Sequence, residues 1–144
     1  MKLKFPYYFL PYQYPSGKII KVKKPLIKVQ LCHKHEILNT SFFALLDTGA
    51  DICLCSAEIA NLFNIKYKKG RKLKIRGIAG NILGYKISLE VYIKNNSYKC
   101  PFYVVESLPR ETPVILGQKG FFYQNKITFD ILHNEITIEE ILLN

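Results

Sequence analysis

Three aspartates occur in the whole chain, Asp47, Asp51 and Asp130, and two of them fall in the stretch FFALLDTGAD, Phe42 to Asp51. Mostly large apolar residues run straight into the Asp47 carboxylate, and Thr48, Gly49 and Ala50 follow it. A buried carboxylate is costly unless it is paired or hydrogen-bonded. Gly49 allows a tight turn, Thr48 adds a hydroxyl on a stiff side chain, and the N–H groups of the turn could bond the carboxylate and hold it ionised. Such a setting preorganises an acid for chemistry. Hydrolysis by general acid–base catalysis needs a second carboxylate. Two that lie close share one proton, so one can take a proton from water while the other gives one to a carbonyl. The chain holds a single Asp-Thr-Gly, so the second acid would come from another copy across a twofold axis.

Other reactive groups carry less. The cysteines are Cys32, Cys53, Cys55 and Cys100, without a CxxC pair. Cys32, His33, His35, Cys53 and Cys55 could be drawn as a zinc site, but their spacing is no recognised ligand pattern. Reduced core cysteines and surface histidines are the favoured reading, and neither a metal nor a cofactor is called for. The formal charge of +10 rests on 21 Lys and Arg against 11 Asp and Glu. Only Arg71, Arg76 and Arg110 are arginines, the usual fork for phosphates and bases, so nucleic-acid binding is disfavoured and solvated lysines on strand faces are expected.

The elements that must position Asp47 come from the hydrophobic pattern. With 144 residues, 49% hydrophobic and 13% aromatic, one globular domain is expected. No apolar run is long enough to span a membrane, and the N-terminus lacks a signal-peptide apolar segment, so a cytoplasmic location is the expectation. Residues 1–24 form an aromatic and proline-rich arm, in which FPYYFLPYQYP excludes a helix interior or a central strand. Strands are predicted from Pro25 onward: PLIKVQL, SFFALLD, ICLC, RKLKIRG, GYKISLEVYIK, YKCPFYVV, TPVILG, and a final hairpin of KITFDI and NEITIEEI around HN, with another turn at NNS. SAEIANLFNI predicts one helix, capped by Ser56, with Ile59, Leu62 and Phe63 as its apolar face. QKGFFYQ predicts a short helical turn. The sum is an all-β fold, a closed barrel or sandwich, with one or two short helices.

LLDTGAD, the glycine-rich hairpin IRGIAGNILG and the later PVILGQKGFF together resemble the retropepsin-like aspartic proteases, the retroviral proteases and their bacterial relatives. The resemblance spans roughly residues 25–140 and implies a homodimeric acid-protease barrel over residues 25–144. It implies that Asp47 is the catalytic carboxylate, that Thr48 interlocks with its twin across the dimer axis, and that Gly49 and Ala50 shape the active loop. Asp51 would contact substrate main chain or a nearby cation. Ile75 to Gly84 would be a flap with Gly77, Ile78, Ala79 and Gly80 near its tip. Ile78, Ile82, Leu83, Val114 and Ile115 would line an apolar cleft, and Gly117 would let Val114–Gly117 pass close behind the catalytic loop. One departure is visible. Retroviral members usually carry Arg after the glycine matched by Gly117, paired with the acid matched by Asp51; Gln118 and Lys119 stand there, leaving Arg76 or Lys119 as candidate substitutes.

The function implied is an aspartic endopeptidase acting on peptide or protein substrates as a homodimer, without membrane or nucleic-acid partners. The alternative is a non-catalytic dimerisation or peptide-binding module on the same fold. The aromatic arm is expected to pack over the barrel or across the dimer. Phe5–Pro6 and Tyr14–Pro15 also resemble the aromatic–Pro bonds that retroviral relatives cut at their own boundaries.

Overall fold

A computed structural model describes residues 2–77 and 80–141. Thirteen strands and one α-helix follow in chain order. The first three are β1 (Lys2–Phe5), β2 (Tyr8–Gln13) and β3 (Ile19–Lys24). The central run is β4 (Leu26–His33), β5 (Glu36–Ile37), β6 (Phe42–Leu46), β7 (Cys53–Ser56), α1 (Ala57–Leu62), β8 (Lys72–Gly77), β9 (Gly80–Ile93) and β10 (Asn96–Val105). β11 (Val114–Leu116), β12 (Asn125–Asp130) and β13 (Glu135–Glu140) complete the chain. Short 3-10 turns occupy Tyr67–Lys69 and Phe122–Gln124, the second where QKGFFYQ predicts one. No described helix is long and apolar enough to cross a membrane.

Eight strands form one sheet in the order β5-β4-β6-β11-β7-β10-β9-β8, and a further β4–β9 pairing closes it into a ring. Closure runs through Gln30↔Tyr92, Leu31↔Val91 and Cys32↔Glu90. The alternation in β9 explains why it can serve two neighbours. Tyr85, Ile87, Leu89, Val91 and Ile93 all turn inward and are buried, as their period of two predicts. Facing them are Ile27, Val29 and Leu31 of β4 and Phe102 and Val104 of β10. The expected mostly-β closed barrel is thus the observed fold. A second sheet, β1-β13-β12, lies at its base and adds Leu3, Ile136 and Ile138 to the same core.

The N-terminal residues hold more structure than their sequence announces. Residues 2–5 pair with β13 in register Lys2↔Glu139 to Phe5↔Ile136, and residues 8–24 form a separate two-stranded hairpin, β2–β3. Three prolines mask the alternation there, and Pro11 is tolerated because β2 has a free outer edge. The turn expected at NNS sits one residue earlier, at Lys94 and Asn95, because Asn96 and Ser97 already pair in β10 with Ile93 and Tyr92.

Helix α1 is capped as expected: the Ser56 side chain accepts a hydrogen bond from the Ile59 N–H at 3.4 Å. Its buried face is Ile59 and Ala60 followed by Phe63, while Leu62 is 54% exposed. The inward face is centred on Ile59, Ala60 and Phe63, and at about 100° per residue Leu62, expected on that face, falls outside it. Ser56→Ala is expected to cost about 1 kcal/mol through loss of the cap. Thermal unfolding should report this as a fall of roughly 3 °C, and an unchanged midpoint would show that the cap does not hold the helix.

Candidate active site

β6 delivers Asp47. Ala44 and Leu46 point into the core and are buried, and Pro25 caps the strand's end by accepting the Leu46 N–H at 3.0 Å. The next N–H, that of Asp47, donates to Leu116 of β11 at 3.1 Å, so the parallel β6–β11 pairing continues to the carboxylate itself. Gly49 N–H donates to Asp47 Oδ1 at 2.9 Å, and Ala50 N–H to the Asp47 carbonyl at 3.2 Å. The expected bond from turn to acid is therefore made. It fixes one carboxylate oxygen and leaves the half-buried group facing outward.

Behind the turn the chain crosses itself. A Cβ on Gly117 would lie 2.2 Å from the Ile52 carbonyl oxygen and 2.7 Å from that of Ala50, so only glycine fits. The crossing is stitched by Gln118 N–H to Ala50 O at 2.8 Å and Lys119 N–H to Asp51 O at 2.9 Å. The Gln118 side chain then donates from Nε2 to the Thr48 carbonyl at 2.7 Å. Asp51 makes no ion pair among the described residues, with Arg76 and Lys119 included. A neutral amide thus ties the loop at the place where an ion pair was sought.

In front of the turn opens a cleft of about 490 Å³, lined on one side by Asp47, Gly49, Ala50, Asp51, Ile52, Leu54 and Ile115 and roofed by β8 with Ile82 of β9. The β8–β9 hairpin narrows to the pair Gly77↔Gly80, and Gly80 adopts φ +118°, a conformation open to glycine.

Residues 21–121 match the model of the retroviral aspartyl protease family, about two thirds of the chain. The chain belongs to that family. Solved structures agree on the fold. The chain is similar to a retropepsin-like aspartic protease from Rickettsia conorii at 14% identity and TM-score 0.61, over 96% of this chain and 89% of that one. It is similar to the retroviral protease-like domain of Ddi1 from Leishmania major at 20% identity and TM-score 0.52, over 81% and 90%. The EIAV protease complexed with the inhibitor HBY-793 aligns at 26% identity and TM-score 0.48, over 74% and 88%. Comparison with curated proteins gives no match.

Membership in the family sets the expected site against what the fold assembles. Asp47, Gly49, Ala50, Asp51, Gly77, Ile82 and Ile115 converge on the one cleft. Thr48 is exposed beside it, and its carbonyl is the one held by Gln118. Val114 is fully buried in β11, one residue out of phase with Ile115, and Leu83 lies on the opposite face of β9 from Ile82. Gly80 pairs with Gly77 outside the lining. Ile78 and Ala79 lie outside the described residues. Sequence reasoning passed over Ile52, Leu54, Leu73 and Lys74. For Ile52 and Leu54 the signal was their alternation across Cys53, and register places Leu54 beside Ile115.

The remaining reactive groups sit elsewhere. Asp130 caps the β12–β13 turn, accepting from the His133 N–H at 3.1 Å and contacting its Nδ1 at 2.8 Å. The His133 N–H is the largest influence holding that carboxyl below its usual range. All four cysteines are free and buried, and burial pushes the Cys55 thiol up to about 12, which suits packing and not reactivity. The described residues contain no group of three or more His, Cys, Asp or Glu arranged to hold a metal ion.

Proposed function

We propose that the protein is an aspartic endopeptidase whose active site forms when two copies bring their Asp47 carboxylates together. The observation that carries this reading is the Asp47 turn. The carboxylate is anchored by Gly49 N–H, backed by the Gly117 crossing and open on one side to a half-cleft. Family membership of residues 21–121 supports the reaction class.

In the dimer the two carboxylates share one proton, because like charges that near cannot both ionise cheaply. The ionised Asp47 takes a proton from a water whose oxygen attacks the peptide carbonyl carbon. The protonated Asp47 donates to the carbonyl oxygen. Collapse of the tetrahedral intermediate breaks the C–N bond, the leaving amine is protonated, and the shared proton is restored. Thr48 would meet its twin beside the pair, and Gly49, Ala50 and Asp51 would border the substrate backbone. The β8–β9 hairpin, which narrows to the Gly77↔Gly80 pair, would close over the peptide and exclude water. Ile82 and Ile115, joined by Ile52, Leu54, Leu73 and Ile75, favour apolar side chains next to the scissile bond. Four free cysteines fit a reducing, cytoplasmic setting.

Mixing is the direct test of a shared site. Wild-type chains are equilibrated with Asp47→Asn chains at constant total concentration, and hydrolysis of an apolar peptide is followed. Only dimers of two wild-type chains act, so the rate should follow the square of the wild-type fraction, about one quarter at an equal mixture. A linear fall would mean that each chain works alone.

A further inference from the structure

The β2–β3 hairpin has the sequence of a half-buried sheet but lacks a surface to bury it. Its register pairs Tyr8↔Lys24, Leu10↔Val22 and Tyr12↔Ile20, which puts Tyr8, Leu10, Tyr12, Ile20 and Val22 on one face, with Lys24 at its root. Beyond the root that face is open: Leu10 is 37% exposed, Tyr12 56% and, just past the strand, Tyr14 42%. These side chains line a groove of about 430 Å³ with Pro11 and Lys24. Among the described residues neither strand pairs with any other. A lone two-stranded hairpin is marginal in water, so its apolar face needs a cover.

Its root sits at the end of β6. The Pro25 carbonyl holds the Leu46 N–H, one residue before Asp47. Tyr8 packs edge-on against Phe43 at 4.9 Å between ring centroids, and Lys23 Nζ donates to the Ile131 carbonyl at 2.7 Å. From that anchored base six-residue strands extend about 20 Å. We infer that this hairpin is a dimer arm: its Leu10–Tyr12–Tyr14–Ile20–Val22 face docks on a second copy of this chain. The inference rests on the shared-site reading above, because it is the pairing of Asp47 with its twin that puts the hairpin root at the edge of the interface.

Area and charge both favour this occupant. A stable interface needs about 800 Å² per partner, and an aromatic side chain supplies ~150–250 Å² when buried. Beside the short Asp47 turn, the parts of Leu10, Tyr12 and Tyr14 still open to solvent add apolar area toward that requirement. Lys21 and Lys23 occupy the opposite face of β3 from Ile20 and Val22, and Lys24 lies on the apolar face only at its root, so beyond the root the docking face itself carries no charge. That suits an uncharged protein surface and disfavours an anionic lipid or nucleic-acid one.

The test uses the full chain in two measurements. Backbone hydrogen exchange of residues 8–24 is followed across a protein dilution series. Protection of these amides should rise as chains associate and vanish in the monomer. In parallel, Leu10→Asp/Tyr12→Asp is compared with wild type by sedimentation and peptide hydrolysis. Both side chains are exposed in the single chain, so the monomer's thermal midpoint should hold while the dimer dissociation constant rises at least 100-fold. Hydrolysis should fail at low concentration and recover as concentration is raised. A wild-type dimer with unprotected hairpin amides, or a variant that dimerises as tightly as wild type, would overturn the arm and leave the shared site standing. A wild type that hydrolyses peptide as a monomer overturns both. Protection gained only on addition of anionic vesicles or RNA also overturns it, by naming a different cover.

Discussion

Asp47→Asn is expected to reduce peptide hydrolysis by at least about a thousandfold, within the range that general acid–base groups contribute, while fold and dimer survive. Asn keeps the shape of Asp, and its amide oxygen can still accept the Gly49 N–H that Asp47 Oδ1 now takes at 2.9 Å. What it loses is the ability to hold or release a proton. Each variant dimer would carry two amides where the reaction needs one carboxylate and one carboxylic acid. Steady-state hydrolysis of an apolar peptide, with sedimentation on the same sample, separates the two possibilities that the fold allows. Lost hydrolysis with an intact dimer supports the protease. Undiminished hydrolysis removes Asp47 from the chemistry, and a dimer without hydrolysis in the wild type itself favours a binding module.

The second large effect concerns a residue with no chemistry. Gly117→Ala should destabilise the protein by about 3 kcal/mol or more, the upper range for overpacking a site that cannot relax. The added methyl would meet the Ile52 and Ala50 carbonyl oxygens at 2.2 Å and 2.7 Å, and both belong to backbone that cannot rotate away. Relief would require pulling apart the crossing, with its Gln118–Ala50 and Lys119–Asp51 bonds and the Gly117 N–H contact to Cys53 Sγ at 3.4 Å. Thermal unfolding should fall by roughly 10 °C. Because those bonds also shape the Asp47 turn, hydrolysis should drop even where the variant stays folded. A midpoint within about 2 °C of wild type would mean that the loop can shift, and that the crossing does not set the site's geometry.

How far the chain could be read in advance follows from what each signal depends on. The barrel strands were legible because burial on one or both faces leaves a pattern. Tyr85 to Ile93 alternate, and Phe42 to Leu46 run continuously apolar into the core. The Asp47 turn was legible because a tight turn after a buried strand depends on a residue type with few substitutes, and the Gly117 crossing through the resemblance to the family. The β2–β3 hairpin was not, since prolines interrupt it and the intact alternation at Leu10, Tyr12, Ile20 and Val22 has no burial within one chain to support it. Leu62 failed for a local reason: the inward face of α1 is centred on Ile59, Ala60 and Phe63, and the helical period puts Leu62 off its edge. Leu54 joins the cleft wall through its pairing with Ile115, 61 positions away in sequence, a register that no local pattern encodes. The tie made by Gln118 was hidden in the same way, because its acceptor is a backbone carbonyl rather than a side chain of complementary charge.

That tie has a consequence for the conditions under which the site keeps its shape. An ion pair behind the Asp47 turn would weaken as salt screens it and would break once acid protonates its carboxylate. The bond from Gln118 Nε2 to the Thr48 carbonyl involves two neutral groups. Neither titrates in water, and a neutral dipole pair is little affected by dissolved ions. The tie behind the turn is therefore insensitive to pH and salt: changes in either leave the Gln118–Thr48 bond in place.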